Sequence, residues 1–130
     1  MFRTLIISLL SLTTLAFCDR QSFLMIRNAT ERPVHYEQIA KPASDQGTLS
    51  FLISPGDYRG TMLGFGFAWT EELTTEYAND IQSITITYAD SSRVTLRDSA
   101  AIRDFFGRGR RRLLGKELRI KIGEDLGCCP

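Results

Sequence analysis

The chain has one histidine, one tryptophan and three cysteines in 130 residues. His35 with Cys18, Cys128 and Cys129 cannot supply four ligands at usable zinc spacings, so no metal is expected. No G-x-S-x-G elbow, H-E-x-x-H helix or calcium loop occurs, and no cofactor motif is present. Between Tyr58 and Trp69 the glycines Gly60, Gly64 and Gly66 lack the lysine and the following Ser or Thr of a phosphate loop. These absences argue against an enzyme. There is also no apolar run of about 20 residues, which a membrane-spanning helix requires. Charge of one sign does not dominate either: 16 basic against 15 acidic side chains give a net charge of +1. Bulk electrostatics therefore select no partner, and nucleic acid is not expected.

What the chain does have begins at its first residues. Arg3 is followed by an uncharged stretch, Thr4 to Phe17, that stops at Cys18-Asp19-Arg20. A basic start, an apolar middle and small residues near the end are the layout of a secretory signal peptide. Thr14 and Ala16 suit an ordinary signal peptidase, which would leave Cys18 as a thiol. Leu15-Ala16-Phe17-Cys18 also resembles the lipobox of bacterial lipoproteins, although Phe17 stands where that pattern has Gly, Ala or Ser. The resemblance implies that Cys18 is acylated and becomes the first residue of the mature chain. Asp19 then resembles the inner-membrane retention signal of enterobacterial lipoproteins. Export to the periplasm, or anchoring to the cell envelope through Cys18, is the expected location.

Residues 1–18 are thus read as a cleaved leader, 19–122 as one domain and 123–130 as a tail, the remaining length being too small for two cores. In the tail, Cys128 and Cys129 are adjacent and precede Pro130. They are candidates for a vicinal disulfide, a cross-link between two chains, or a bond to an unacylated Cys18.

Alternation of apolar and polar residues predicts strands over 22–27, 34–39, 49–53, 58–69, 84–88, 94–96 and 118–122. The first two are expected to form a hairpin. Ser54-Pro55-Gly56-Asp57 carries the Pro and Gly of a type II turn, and Gly64 suggests a bulge in a long strand. Thr70 is a candidate cap for a short helix over 70–80, a loop with one or two helical turns being the alternative, and Asp98 or Ser99 is a candidate cap for a helical stretch over 99–106. Residues 107–112, Gly-Arg-Gly-Arg-Arg-Arg, read as an exposed loop, and the last strand as a sheet edge. The pattern is mainly β: a two-layer antiparallel β-sandwich, immunoglobulin- or transthyretin-like, of about seven strands with one or two short helices. A small barrel is the alternative.

Charge is segregated along the chain. Glu71, Glu72, Glu76, Asp80 and Asp90 occupy 71–90 with no base, whereas 103–121 is strongly basic. Pairing between these two segments is one expectation for the arginines. The other is that Arg108, Arg110, Arg111 and Arg112 meet a partner, either another envelope or exported protein or an anionic membrane surface. Phe65, Phe67 and Trp69, spaced among glycines, form a second candidate partner-binding segment. The expected function is a non-enzymatic envelope protein that binds another protein, of accessory or inhibitor/immunity type. Two alternatives stand beside it: a ligand-binding or hydrolytic sandwich using His35, Tyr36 and Glu37, and a purely structural component. Asn28-Ala29-Thr30 fits an N-glycosylation sequon.

Overall fold

Successive side chains of a strand point to opposite faces, and in the first strand, β1 (Gln21–Asn28), burial follows the period: Leu24, Ile26 and Asn28 are buried while Phe23, Met25 and Arg27 are not. The computed structural model describes residues 21–65 and 68–124. Along them follow β2 (Val34–Ala40), β3 (Leu49–Ile53), β4 (Tyr58–Phe65), helix α1 (Glu71–Asn79), β5 (Ile81–Thr87), β6 (Arg93–Leu96), helix α2 (Ser99–Gly107), β7 (Arg110–Arg112) and β8 (Glu117–Ile122). They make a two-layer β-sandwich with sheet orders β4-β1-β8-β7 and β3-β2-β5-β6. All pairings are antiparallel except β1 with β8, which run parallel.

The expected hairpin of the first two strands does not form, because β1 and β2 belong to different sheets. Asn28, fully buried, organises the crossing. Its Nδ2 donates to the carbonyls of Ile53 (2.9 Å) and Arg32 (2.7 Å), and its Oδ1 accepts from the backbone N–H of Thr30 (2.9 Å). Its backbone N–H donates to Asp57 O (3.0 Å), and its carbonyl accepts from Gly56 N–H (2.8 Å). The Asn28 side chain thus ties the end of β1 to the end of β3 and to the segment leading into β2, while its backbone holds the turn that follows β3. Read as a sequon, Asn28 would have to present an amide that is instead buried and used inside the protein.

The Ser54–Asp57 turn has the expected positive φ at Gly56 (77°) and an Asp57 N–H to Ser54 O bond of 3.0 Å. It links the two sheets rather than two strands of one sheet. The register of β1 on β4 slips between Ser22 and Phe23, opposite Gly64 and Met62, so the bulge lies beside Gly64. The strand over 81–87 pairs with 93–96 as its alternation requires, placing Ile84 opposite Leu96 and Ile86 opposite Val94. Thr70 Oγ1 accepts from Leu73 N–H (3.1 Å), and Asp98 Oδ2 accepts from Ala101 N–H (3.3 Å), which starts both helices where their caps predict.

Two expectations at the C-terminal end are corrected. Arg110–Arg112 is a strand rather than a loop, making eight strands among the described residues, and β8 is interior to its sheet because β7 covers its outer side. Consecutive arginines cannot enter a core, but an edge strand solvated on both faces tolerates them.

Leu24, Ile26, Leu118, Ile120 and Ile122 of one sheet meet Val34, Tyr36, Ile53, Ile84 and Ile86 of the other. Burying each of these side chains contributes about 1.5–3 kcal/mol. The helices close one end through ring contacts that run from Trp69 to Tyr77 (5.5 Å, edge-on), Phe106 (5.2 Å), Phe105 (5.4 Å) and Tyr36 (6.2 Å, stacked). Trp69 Nε1 donates to Phe23 O (3.0 Å), tying this end to β1. Within the core, Tyr36 Oη donates to Gln38 Oε1 (2.6 Å) and Gln38 Nε2 to Tyr77 Oη (2.7 Å).

Burial pushes the Tyr77 hydroxyl up to about 12 and the Tyr36 hydroxyl well above its ordinary value. Both raised groups stabilise the fold fully below pH ~10, where unfolded tyrosine is still protonated. As pH rises through about 12, the folded-state value for Tyr77, that stabilisation is lost at roughly 1.4 kcal/mol per pH unit per tyrosine. The urea midpoint is therefore expected to hold up to about pH 10 and then to fall steeply. A midpoint unchanged well beyond pH 10 would contradict the buried-hydroxyl account.

Candidate functional site

On the outer face of the β4-β1-β8-β7 sheet, the register lines up three rows of side chains. Arg27 stands between Tyr58 and Lys121; Met25 between Gly60 and Arg119, with Arg110 beyond; Phe23 between Met62 and Glu117, with Arg112 beyond. The parallel β1–β8 pairing thus brings Arg27, Arg119 and Lys121 onto the face that β7 extends with Arg110 and Arg112. Glu117 is the one acid among them, and it already accepts a hydrogen bond from Arg119 Nε. That bond holds the Arg119 guanidinium above its ordinary pKa.

The guanidinium carbons of Arg27 and Arg119 lie 5.7 and 5.1 Å from the centre of the Tyr58 ring, within cation–π range. Arg27 Nε is buried and has no hydrogen-bond partner. Tyr58 and these cations, with Arg108, Arg110 and Arg112, border a shallow depression of about 390 Å³. Arg108 donates to Asp104 Oδ2 (2.7 Å) one helical turn earlier. Among the described residues Arg110, Arg111 and Arg112 form no ion pair, and the acidic side chains of α1 do not neutralise them. Pairing between the acidic and basic segments is thus not seen.

Guanidinium groups keep their charge at any physiological pH and fork toward carboxylate and phosphate oxygens. A face of this kind has the donors and the charge to meet an anion. Comparison with known protein families, curated proteins and solved structures returns no match. The functional reading therefore rests on this chain's own geometry.

That geometry separates the other candidates. His35 and Glu37 lie on the outer face of β2, whereas Tyr36 is fully buried on the opposite face, so the three form no common site. His35 Nε2 is 2.8 Å from Ser50 Oγ, but no carboxylate among the described residues orients the ring, as an activated serine needs. Trp69 is 3% exposed and belongs to the core, which corrects its reading as a partner-binding residue. Phe65 ends β4, while Phe67, Cys18, Cys128 and Cys129 lie outside the described residues. Arg111 pairs with Leu118 in register and so faces away from Arg110 and Arg112. Among the described residues no cluster of metal-ligating side chains occurs, and no helix is long and apolar enough to cross a membrane.

The sequence did not single out Arg27, Tyr58, Arg119 and Lys121. Alternation marks each as outward-facing, but only the strand order makes them neighbours. The β7–β8 connection adds a second unexpected feature. Leu113 (φ 55°), Leu114 (φ 58°) and Gly115 (φ 81°) are all left-handed. Lys116 N–H donates to Leu113 O (3.2 Å), closing a turn with positive φ at both central residues. Left-handed φ costs an L residue roughly 1–2 kcal/mol, and these leucines bury little in return: they are 50% and 81% exposed.

Proposed function

We propose that the chain is an exported, non-enzymatic module of the cell envelope that binds through the cationic outer face of its β4-β1-β8-β7 sheet. The observation that carries this reading is the assembly of Arg27, Arg110, Arg112, Arg119 and Lys121 on one face with Glu117 as the single acid. Its partner presents negative charge, and as an accessory or inhibitor-type module the protein acts by occupying that partner's surface. The leader supports export, and acylation at Cys18 would tether the module where the partner resides.

The test uses the chain from residue 18 on with Cys18→Ser, so that no acyl chain contributes. This chain is expected to stay on isolated envelopes at about 0.1 M salt and to leave at about 1 M, as the Debye length falls from ~10 to ~3 Å. Arg110→Glu with Arg112→Glu is expected to abolish retention at the lower salt. These side chains are exposed, and stability should change by no more than about 0.5 kcal/mol. Equal retention of the parent and the charge-reversed chain overturns the assignment of this face.

A further inference from the structure

The cationic face has an apolar end, and the strained turn lies beside it. Phe23 (37% exposed) pairs with Met62 (51% exposed) in the row nearest the β7–β8 turn. Phe23 N–H donates to Lys116 O (2.8 Å), placing this row against the turn that carries Leu113 and Leu114. The described chain also starts here, at Gln21, next to Phe65 of β4. Four exposed apolar side chains and a cationic face beyond them thus share one end of one sheet.

We infer that the anionic surface this face meets is the phospholipid bilayer itself, with Leu113, Leu114, Phe23 and Met62 dipping below the headgroups and Arg110, Arg112, Arg119 and Lys121 lying among the phosphates. The inference rests on the cationic-face reading and names its occupant. An acidic protein would satisfy the arginines equally, but it gives no reason for two exposed leucines held left-handed at the tip. The backbone bonds from Phe23 N–H to Lys116 O (2.8 Å) and from Trp69 N–H to Gly115 O (2.6 Å) hold this turn in place, and strain held by its surroundings clusters at functional sites. A membrane interface rewards such residues, because aliphatic side chains enter the acyl boundary while basic ones engage anionic headgroups.

Leu114→Asn supplies the decisive variant. Asn-Gly is the preferred pair for a turn with two positive φ values, so this chain is expected to melt about 4 °C or more above the parent. Its affinity for membrane is expected to fall about tenfold or more, since a leucine no longer leaves water. Binding is measured by co-sedimentation of the Cys18→Ser chain with vesicles of phosphatidylcholine, alone or mixed with phosphatidylglycerol. The parent should bind the mixed vesicles and ignore the neutral ones. Arg110→Ser with Arg112→Ser should weaken binding about 30-fold, roughly fivefold per basic residue. Leu114→Trp should blue-shift in emission on binding and be quenched by brominated acyl chains.

If Leu114→Asn binds like the parent, or Trp at that position stays in water, insertion is overturned while the cationic face stands. If the parent ignores phosphatidylglycerol vesicles yet is held on envelopes by Arg110 and Arg112, the partner is an acidic protein and the bilayer is overturned. If soluble glycerophosphoglycerol at modest excess displaces the chain from vesicles, the site takes free phosphodiesters and docking on the bilayer is overturned.

Discussion

Replacing Asn28 by Ala is expected to destabilise the protein by about 3 kcal/mol, because it strips a partner from the buried carbonyl of Ile53 and from the N–H of Thr30 and takes one of two donors from the Arg32 carbonyl, which keeps Thr30 Oγ1. Each orphaned buried group costs roughly 1–3 kcal/mol, and the costs do not simply add. Asn28→Asp keeps an acceptor but loses the Nδ2 donor and buries a charge, so it should be as damaging as Ala or worse. Urea unfolding of both variants checks this. A loss below about 1 kcal/mol in Asn28→Ala would mean that water replaces the side chain and that the crossing between sheets is held elsewhere. A glycan at Asn28, by contrast, would require the same buried amide to be exposed.

Gly60→Ala is the second large effect. A Cβ built at Gly60 falls 2.3 Å from Leu24 O and 2.4 Å from Met25 Sδ. The thioether can swing aside, but the carbonyl belongs to β1 and cannot retreat without opening the β1–β4 pairing. The expected cost is about 3 kcal/mol or more, at the upper end for overpacking. Gly47→Ala is the internal control, since nothing lies within 4 Å of its Cβ; it should be neutral or slightly stabilising, by up to about 1 kcal/mol. Equal thermal midpoints for the two variants would falsify the close-approach account of Gly60. Because Gly60 shares a row with Met25, Arg119 and Arg110, even a folded Gly60→Ala chain should present a disturbed cationic face.

What sequence reading could reach was local. The caps at Thr70 and Asp98, the turn at Pro55-Gly56 and the strand pair over 84–96 each depend on residues a few positions apart, and each stands in the structure where its chemistry puts it. Strand order was not legible, because Ile26 reads the same whether its neighbour is β2 or, as found, Ile120. The arginine run was visible, but its conversion into an edge strand depends on Glu117 to Arg119 lying alongside it. The candidate site was accordingly half legible: Arg110 and Arg112 announced themselves, while Arg27 and Tyr58 joined them only through tertiary pairing. Leu113 and Leu114 carry no sequence sign of exposure, since hydrophobicity alone assigns such residues to a core. Trp69 went the other way, drawn inside by Tyr77 and the Phe23 carbonyl.

The parallel pairing of β1 with β8 has a kinetic consequence. Phe23 waits for Glu117, so the central seam of one sheet joins the first described strand to the last. Chains dominated by such distant contacts pass a slow search before any native sheet pays back its loop-closure entropy. A nascent copy that lacks residues 117–122 has β1 with one long side unpaired and is expected to stay unfolded until those residues have been made. The export proposed above would draw on that interval, since a translocation channel passes a flexible thread more readily than a folded sandwich.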